Sequence, residues 1–301
     1  MKVGLIGLDT SHVSKFAEIL NDASHPHHIP NARIEAAYPG GSADLFASYS
    51  RVDRFTQELA DRRGVRIVDS PKAVAEACDL ILITSVDGRV HLSQFREIAP
   101  YGKPVFVDKP FAVQFRDAEA MFELASRHRA PLMSCSALRF SGSLSESLAL
   151  TDKGSLIGAD CYGPVELEPT NPGLFWYGIH EIEMLYTAMG PGCTSVTATH
   201  NDDHELLVGV WKDGRIGTVR GNRKGNDQYG ALLHREHGTD FVDIFAYPKP
   251  YYALLLEEIV RMAESGVSPV EPGETLEIIR FIEAANRSRQ SGMTERIGNA
   301  G

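Results

Sequence analysis

The sequence predicts an α/β protein of two domains, with a parallel sheet in the first domain and a mostly antiparallel sheet in the second. The chain has 301 residues, which is more than one hydrophobic core usually organises. Over the first half, short apolar runs alternate with helical patterns, as they do in βαβ units. From Leu138 onward longer strands and tight turns follow, and Asp213-Gly214 is a strong hairpin signal. We therefore predict domains over residues 1–136 and 137–301.

The individual elements follow from the period of the apolar residues. Apolar side chains recur at helical spacing from Val13 to Leu20, so this helix packs one face on the strand before it. The segment 40–53 mixes small, polar and aromatic residues and is either a loop or the start of a helix. Two helices are predicted near the end of the chain, over residues 251–262 and 278–292. The predicted strands of the first domain are residues 2–7, 33–38, 79–84, 104–107 and 131–136.

Composition narrows the function to a small-molecule partner. The formal net charge of -10 repels phosphate backbones, so we do not expect nucleic acid to bind. No apolar run is long enough for a membrane span, and no signal peptide is recognisable, so we expect a cytoplasmic protein. The cysteines form no CxxC pair, which favours buried free thiols. They are Cys78, Cys135, Cys161 and Cys193.

The turn after the first strand has the form of a nucleotide-binding turn. A strand that leads into a helix through small residues offers backbone N–H groups to a diphosphate, as in the Rossmann fold. The GxGxxG positions read Gly7, Asp9 and His12, so one glycine of three is retained. The Asp9 carboxylate would repel a diphosphate unless it turns away. Alternatively, Asp9, Thr10 or Ser11 serves only to cap the helix.

The end of the second strand bears on the choice between NAD and NADP. An acidic residue there would bind the ribose hydroxyls of NAD, but residues 38–42 read YPGGS. This leaves space for a 2′-phosphate held by Ser42 and by Arg51 or Arg54, and it favours NADP slightly. The alternative is a plain turn made by Pro-Gly-Gly.

Several motifs, in order along the chain, resemble those of the Gfo/Idh/MocA dehydrogenases. Residues 103–111 (KPVFVDKPF) are similar to that family's strand and Glu-Lys-Pro turn, with Asp108 in place of Glu. Residues 176–185 (WYGIHEIEML) are similar to its second motif, in which a histidine opens a helix. The further matches are the loop SVDGRVH at 85–91, LRF at 138–140 and the C-terminal segment 269–292.

The resemblance implies a Rossmann domain followed by an α+β domain whose open sheet covers the substrate and forms an oligomer contact. It also implies hydride transfer between NAD or NADP and a sugar, cyclitol or similar polyol. Lys109 would then orient the substrate hydroxyl and His180 would exchange its proton. This chemistry is reasonable, because an imidazole with a pKa of about 6.5 can act as a base and an ammonium stabilises an alkoxide.

The same resemblance suggests the remaining ligand contacts. The expected substrate-binding residues are Trp176, Tyr177 and Arg139. The expected cofactor-binding residues are Gly7, Asp9, Thr10, Ser11, His12, Ser42, Ser85, His91, Asp108 and Lys109. No metal site is expected, since the histidines in SHPHHIP lie in a polar loop without acidic or cysteine partners.

One departure leaves the activity open. Where the family commonly has an Asp four residues before the histidine, this chain has Trp176, and an indole cannot act as a base. Tyr177 or Glu181 could substitute, and Glu183 would support the helix. Two alternatives to a dehydrogenase therefore stand. The chain could be a nucleotide- or sugar-binding regulatory protein without turnover, or a lyase or hydrolase that uses NAD transiently.

Overall fold

The computed structural model describes residues 1–298, and these form two compact units. The first unit contains Met1–Cys135 and Tyr252–Pro272, and the second contains Ser136–Tyr251 and the chain from Gly273 onward. Residues 299–301, the end of the predicted second domain, lie outside the described residues. No helix in the described chain has the length and apolar composition needed to cross a membrane.

The first unit is built on a six-stranded sheet in the order β3-β2-β1-β4-β5-β6. Every pairing in it is parallel, and the order reverses between β1 and β4. Ligands of doubly wound sheets bind beyond the carboxyl ends of the strands at this reversal. The strands are β1 (Lys2–Ile6), β2 (Arg33–Tyr38), β3 (Arg66–Ile67), β4 (Leu80–Ile83), β5 (Val105–Val107) and β6 (Leu132–Ser134).

All five strands predicted for this unit are present, and the structure adds the two-residue β3. A strand this short leaves no alternation in the sequence to detect. The open segment 40–53 contains the short helix α2 (Phe46–Tyr49) and the first two residues of α3 (Val52–Arg63). The helices before residue 135 are α1 (His12–Asn21), α2 (Phe46–Tyr49), α3 (Val52–Arg63), α4 (Pro71–Ala77), α5 (His91–Ile98) and α6 (Phe115–His128).

The second unit is built on a seven-stranded sheet in the order β12-β11-β7-β10-β9-β8-β13. Its pairings are antiparallel apart from β7 with β10. The predicted hairpin joins β9 to β10, and Gly214 in its turn has a φ of 89°. The strands are β7 (Leu156–Pro164), β8 (Cys193–His200), β9 (His204–Trp211), β10 (Ile216–Asn222), β11 (Gly230–Arg235), β12 (Gly238–Asp243) and β13 (Glu295–Arg296).

One face of this sheet is covered by α8, whose residues are mostly buried. The other face carries exposed apolar side chains such as Ile157, Ile216 and Phe241, so the sheet is open, as predicted. The oligomer contact through this face stays a prediction. The remaining helices are α7 (Gly142–Ala149), α8 (Ile179–Met189), α9 (Tyr251–Ser265) and α10 (Pro272–Ser291).

The division at residue 136 did not foresee where α9 belongs. From Tyr252 onward this helix groups with the first unit, although it follows the second sheet in the sequence. Within that unit the Tyr252 ring packs 6.0 Å from the Phe16 ring of α1. A long-range contact of this kind leaves no mark on the local pattern of α9.

The cysteines are free and buried, as predicted. Burial raises the pKa of Cys78 to about 11 and that of Cys193 to about 12, so both thiols are protonated at neutral pH.

Candidate functional site

The turn after β1 is tied to the ends of two neighbouring strands. Gly7 has a φ of 93°, and a Cβ atom on it would lie 2.1 Å from Ser85 Oγ and 2.4 Å from Ser85 N. The N–H groups of Gly7 and Leu8 donate to the carbonyl oxygens of Tyr38 and Pro39, at 2.9 and 2.7 Å. The retained glycine of the fingerprint is therefore required by the loops that meet here.

Asp9 turns its carboxylate into the interior of the first unit. One oxygen accepts the Val86 N–H at 2.9 Å and the other accepts the Ser48 hydroxyl at 2.6 Å. Burial raises the pKa of Asp9, and these hydrogen bonds oppose that rise only in part. The Asp9 carboxylate therefore points away from the turn, which is the condition that an approaching diphosphate requires.

The alternative that these residues only cap α1 finds little support in their side-chain contacts. Ser11 occupies the N-cap position, and its side chain makes no capping hydrogen bond. Thr10 Oγ1 accepts the His12 N–H only at 3.4 Å. Residues 9–11 therefore shape the turn without a strong side-chain cap.

The buried carboxylate of Asp9 begins a chain of hydrogen bonds that ends at Asp87. The Ser48 hydroxyl donates to Asp9, and its oxygen accepts the Ser42 N–H at 2.7 Å. The Ser42 hydroxyl in turn donates to Asp87 at 2.7 Å. Ser42 and Asp87 are both buried, so the hydroxyl that was expected to bind a 2′-phosphate already has an acceptor.

Arg89 joins Asp87 to a second carboxylate. Its Nε and Nη2 atoms donate to Asp87 at 2.9 and 2.7 Å, and its two terminal nitrogens bind Asp44 at 2.9 and 2.8 Å. Burial raises the pKa of Asp87, but the hydrogen bonds from Arg89 and Ser42 outweigh it, so the pKa is lowered overall. Two carboxylates with one guanidinium leave this cluster with a net charge of -1. We call Ser42, Asp44, Asp87 and Arg89 the β2-edge cluster.

The other predicted phosphate ligands have partners close by. Arg51 Nε donates to the Ala47 carbonyl, and the Arg54 guanidinium lies 4.5 Å from the centre of the Phe55 ring. These contacts do not place either cation in the β2-edge cluster.

Ser85 and His91, which were expected to bind cofactor, join two loops instead. His91 is fully buried, and its Nε2 and Nδ1 atoms lie 2.7 and 3.2 Å from the carbonyl oxygens of Ser85 and Phe111. The Ser85 hydroxyl exchanges hydrogen bonds with the amide of Gln94. Because no part of the His91 side chain is exposed, the expected cofactor contact is replaced by a structural one.

Asp108 links the end of β5 to the start of α1. One carboxylate oxygen forms a short ion pair with His12 Nδ1, and the other accepts the Lys109 N–H at 2.8 Å. Burial raises the pKa of Asp108, but the charges of His12 and Lys109 lower it overall, so the group is an anion. The His12 ring lies 5.0 Å from the Tyr252 ring and 5.9 Å from the Phe16 ring. The structure therefore brings together three of the predicted cofactor residues.

In the second unit, His180 opens α8 within a group of polar and aromatic side chains. Its Nδ1 atom lies 2.7 Å from the Ser136 hydroxyl oxygen, which also accepts the Leu138 N–H at 3.2 Å. The rings of Tyr177 and Tyr229 each lie 5.7 Å from the imidazole, both at an interplanar angle of 69°. The ring of His180 is thus held at Nδ1 and flanked by two tyrosines.

Comparison with known proteins identifies the first unit. Residues 1–135 match the sequence model of GFO_IDH_MocA, an oxidoreductase family with an NAD-binding Rossmann fold. This part of the chain belongs to the Gfo/Idh/MocA oxidoreductase family. The family predicted from the motifs is confirmed. No curated protein matches the sequence.

Solved structures extend the similarity in fold over the whole chain. A myo-inositol 2-dehydrogenase from Lactobacillus plantarum has a TM-score of 0.82 at 16% identity, covering 99% of each chain. A myo-inositol dehydrogenase from Lactobacillus casei, in complex with NAD(H) and myo-inositol, has a TM-score of 0.76 at 16% identity, covering 100% of this chain and 98% of its own. A probable dehydrogenase from Thermotoga maritima has a TM-score of 0.81 at 18% identity, covering 99% of each chain. The predicted fold class is confirmed.

Arg139 was expected to bind substrate, and its guanidinium is engaged by two carboxylates. Its Nε donates to Glu183 at 2.5 Å, and its Nη2 donates to Glu274. Burial raises the pKa of Glu183, and the positive charge of Arg139 opposes this rise only in part. These ion pairs hold the Arg139 guanidinium between Glu183 of α8 and Glu274 of α10. A substrate contact through Arg139 stays a prediction.

Trp176, which occupies the position of the family Asp, and its neighbours differ in exposure. Trp176 is 8% exposed and its ring lies 6.3 Å from that of Tyr177. Glu181 is fully buried, whereas Tyr177 is partly exposed. Of the two predicted substitutes for the family Asp, only Tyr177 reaches a surface.

Two residues of the site were missed by sequence reasoning. Ser136 ends the predicted strand 131–136, and residues at the carboxyl ends of parallel strands often contact ligands, so its position was a usable signal. Tyr229 precedes β11 and approaches His180 from 49 residues along the chain, and nothing in its local sequence marks it.

We expect Gly7→Ala to lower the free energy of unfolding by about 2 kcal/mol or more, because the methyl group overlaps Ser85 and the positive φ strains alanine. The matched control is Gly273→Ala, where no atom lies within 4 Å of the new Cβ. Urea denaturation of both variants measures the difference. Equal stabilities would show that the loops can separate at no cost.

The raised pKa of Asp9 predicts a pH-dependent stability. The folded state holds the Asp9 proton more tightly than the unfolded chain, whose aspartate pKa is about 3.9. Its contribution is therefore greatest below about pH 4 and is lost as the pH rises through the folded-state pKa. We expect the unfolding free energy of the wild type, relative to Asp9→Asn, to fall over that range. Urea titrations at several pH values test this, with exposed Asp61→Asn as the control; a difference independent of pH would contradict it.

Proposed function

We propose that this chain is an NAD-dependent dehydrogenase that oxidises an alcohol of a sugar, cyclitol or similar polyol, or reduces the corresponding ketone. The observation that carries the proposal is Lys109 at the carboxyl end of β5, with its N–H bound by the anionic Asp108. The family of residues 1–135 is described as NAD-binding oxidoreductases. The similar structures include dehydrogenases of inositol, a cyclitol.

The turn after β1 fits a dinucleotide. The Asp9 carboxylate is hydrogen-bonded inside the unit, so it does not oppose a diphosphate at the outer side of the turn. The start of α1 adds the positive end of a helix dipole. We propose that Thr10, Ser11 and His12 hold the diphosphate there. When bound, the dinucleotide supplies the hydride acceptor or donor.

The β2-edge cluster supports NAD over NADP. A 2′-phosphate is recognised by cations and hydrogen-bond donors, but the Arg89 guanidinium is shared between Asp44 and Asp87, and the Ser42 hydroxyl donates to Asp87. The net charge of -1 would repel a phosphate. The slight preference for NADP predicted from the sequence depended on a Ser42 hydroxyl that could donate to a phosphate. The hydrogen bond from this hydroxyl to Asp87 removes that support.

We assign the proton chemistry to His180 and the charge stabilisation to Lys109. The Ser136 hydroxyl holds Nδ1 of His180, so Nε2 is the nitrogen we propose to exchange a proton with the substrate hydroxyl. An imidazole with an ordinary pKa of about 6.5 can do so at neutral pH. The Lys109 ammonium would stabilise the negative charge that develops on the substrate oxygen.

Trp176 favours a second candidate. A buried indole in place of the family Asp removes one proton acceptor, as expected for a chain that binds nucleotide or sugar without turnover. A lyase or hydrolase that uses NAD transiently is the third reading. The first candidate predicts net cofactor reduction, the second binding without turnover, and the third product formation without net reduction.

We expect wild-type protein to bind NAD in calorimetric titration and to reduce it with at least one member of a panel of cyclitols and aldoses. Lys109→Ala and His180→Ala should each lower kcat by about 10²-fold to 10⁴-fold, because each removes charge stabilisation or proton transfer. Exposed Lys72→Ala and His237→Ala are the matched controls. Absence of NAD binding at millimolar concentration would refute the proposal, and binding without reduction would favour the second candidate.

The charge of the β2-edge cluster predicts cofactor preference. We expect the wild type to bind NAD at least about tenfold more tightly than NADP, which corresponds to about 1.4 kcal/mol. Asp44→Ala should narrow the ratio, because it removes one carboxylate and frees part of Arg89. Calorimetry with both cofactors measures the ratio, and Asp61→Ala on α3 is the control. Tighter binding of NADP by the wild type would contradict the assignment.

A further inference from the structure

We infer that His12 is a positioning residue for Lys109 and acts through the carboxylate of Asp108. This inference rests on the proposed function, because it assigns a role within the same site. His12 stands at the third glycine position of the fingerprint, where the usual residue has no side chain.

The contacts form one continuous path. His12 Nδ1 binds one oxygen of Asp108, and the other oxygen of the same carboxylate accepts the Lys109 N–H. The path joins the start of α1 to the turn after β5, although His12 and Lys109 are far apart in the sequence. A carboxylate held at both oxygens fixes the direction of the peptide that carries the lysine side chain.

The imidazole is itself restrained. The rings of Tyr252 and Phe16 lie 5.0 and 5.9 Å from its centre, and its side chain is 12% exposed. The two rings and the Asp108 carboxylate together restrain the imidazole. Restraint of this kind distinguishes a positioning residue from a surface ion pair, whose partners reorient freely.

Burial makes the pair necessary. Asp108 is 4% exposed, and a buried carboxylate deprived of its partner is strongly destabilised. His12 is one of the two positions at which this chain departs from the glycine fingerprint, and Asp108 is the position at which it departs from the Glu-Lys-Pro turn. Their direct contact indicates that the two departures belong together, with the imidazole reaching a carboxylate one methylene shorter than glutamate.

His12 retains a second nitrogen that the path does not use. Within residues 1–298 no hydrogen bond involves His12 Nε2. A cofactor bound at this turn could meet Nε2 while Nδ1 holds Asp108, so a test must separate cofactor affinity from the positioning of Lys109.

Asparagine and glutamine provide a matched pair of substitutions. In His12→Asn the amide nitrogen is as many bonds from Cα as Nδ1, so it can donate to Asp108. In His12→Gln the amide nitrogen corresponds to Nε2 and does not stand where Nδ1 stood. The two variants have similar polarity, and His12→Ala removes both donors.

We expect His12→Ala and His12→Gln to lower kcat by about tenfold or more, consistent with mispositioning of a catalytic group. His12→Asn should lower kcat less than either, because its amide can still donate to Asp108. Asp108→Asn should add little to the loss in His12→Ala, because both changes break one path. Lys15→Ala, an exposed position on the same helix, is the control. If kcat is unchanged in all three His12 variants and only the Kd for NAD rises, His12 is a cofactor ligand alone and the inference is wrong.

A second readout does not depend on turnover. The rate at which acetic anhydride modifies Lys109 in the protein without cofactor is measured by peptide mass spectrometry, with Lys72 as internal reference. We expect a change of about threefold or more in His12→Ala and His12→Gln, but not in His12→Asn, because the environment of the amine follows its position. Equal rates in all variants would overturn the inference. If wild-type protein neither binds NAD nor turns over, the proposed function fails while this readout still decides the positioning.

Discussion

Three aspartates at the carboxyl edge of the parallel sheet are buried, and the first unit is arranged around the need to satisfy them. A buried carboxylate is costly unless it is paired or hydrogen-bonded. Each of the three is satisfied differently: Asp9 by an N–H and a hydroxyl, Asp87 by Arg89 and Ser42, and Asp108 by His12 and the next N–H. The loops after β1, β4 and β5 are connected through these bonds.

This requirement changes the meaning of the departures from the glycine fingerprint. Taken along the sequence, Asp9 and His12 look like two separate losses of a phosphate-binding turn. In the structure each is one half of a buried interaction whose other half lies in the loop after β4 or β5. At two of the three glycine positions the turn therefore carries polar side chains that bind the neighbouring loops.

The sequence predicted what local patterns encode. The strands of the first sheet were found because buried parallel strands read as short apolar runs. Lys109 and His180 could be proposed because their motifs are continuous. Partners distant in the sequence could not be found this way. Ser42 was taken for a phosphate ligand because Asp87 lies 45 residues further on. His91 was taken for a cofactor ligand because its motif does not show that its ring is buried between two carbonyl groups.

The partner of each histidine decides what its ring can do. His91 faces carbonyl oxygens on both sides and is fully buried, so it serves as a link between loops. His12 faces the Asp108 carboxylate, which binds its Nδ1 atom and links the start of α1 to the turn after β5. His180 faces the Ser136 hydroxyl, which orients the ring without adding a charge. Of these three histidines, His180 is the one to which we assign the proton transfer, because it is partly exposed, whereas His91 is fully buried and His12 is bound to Asp108.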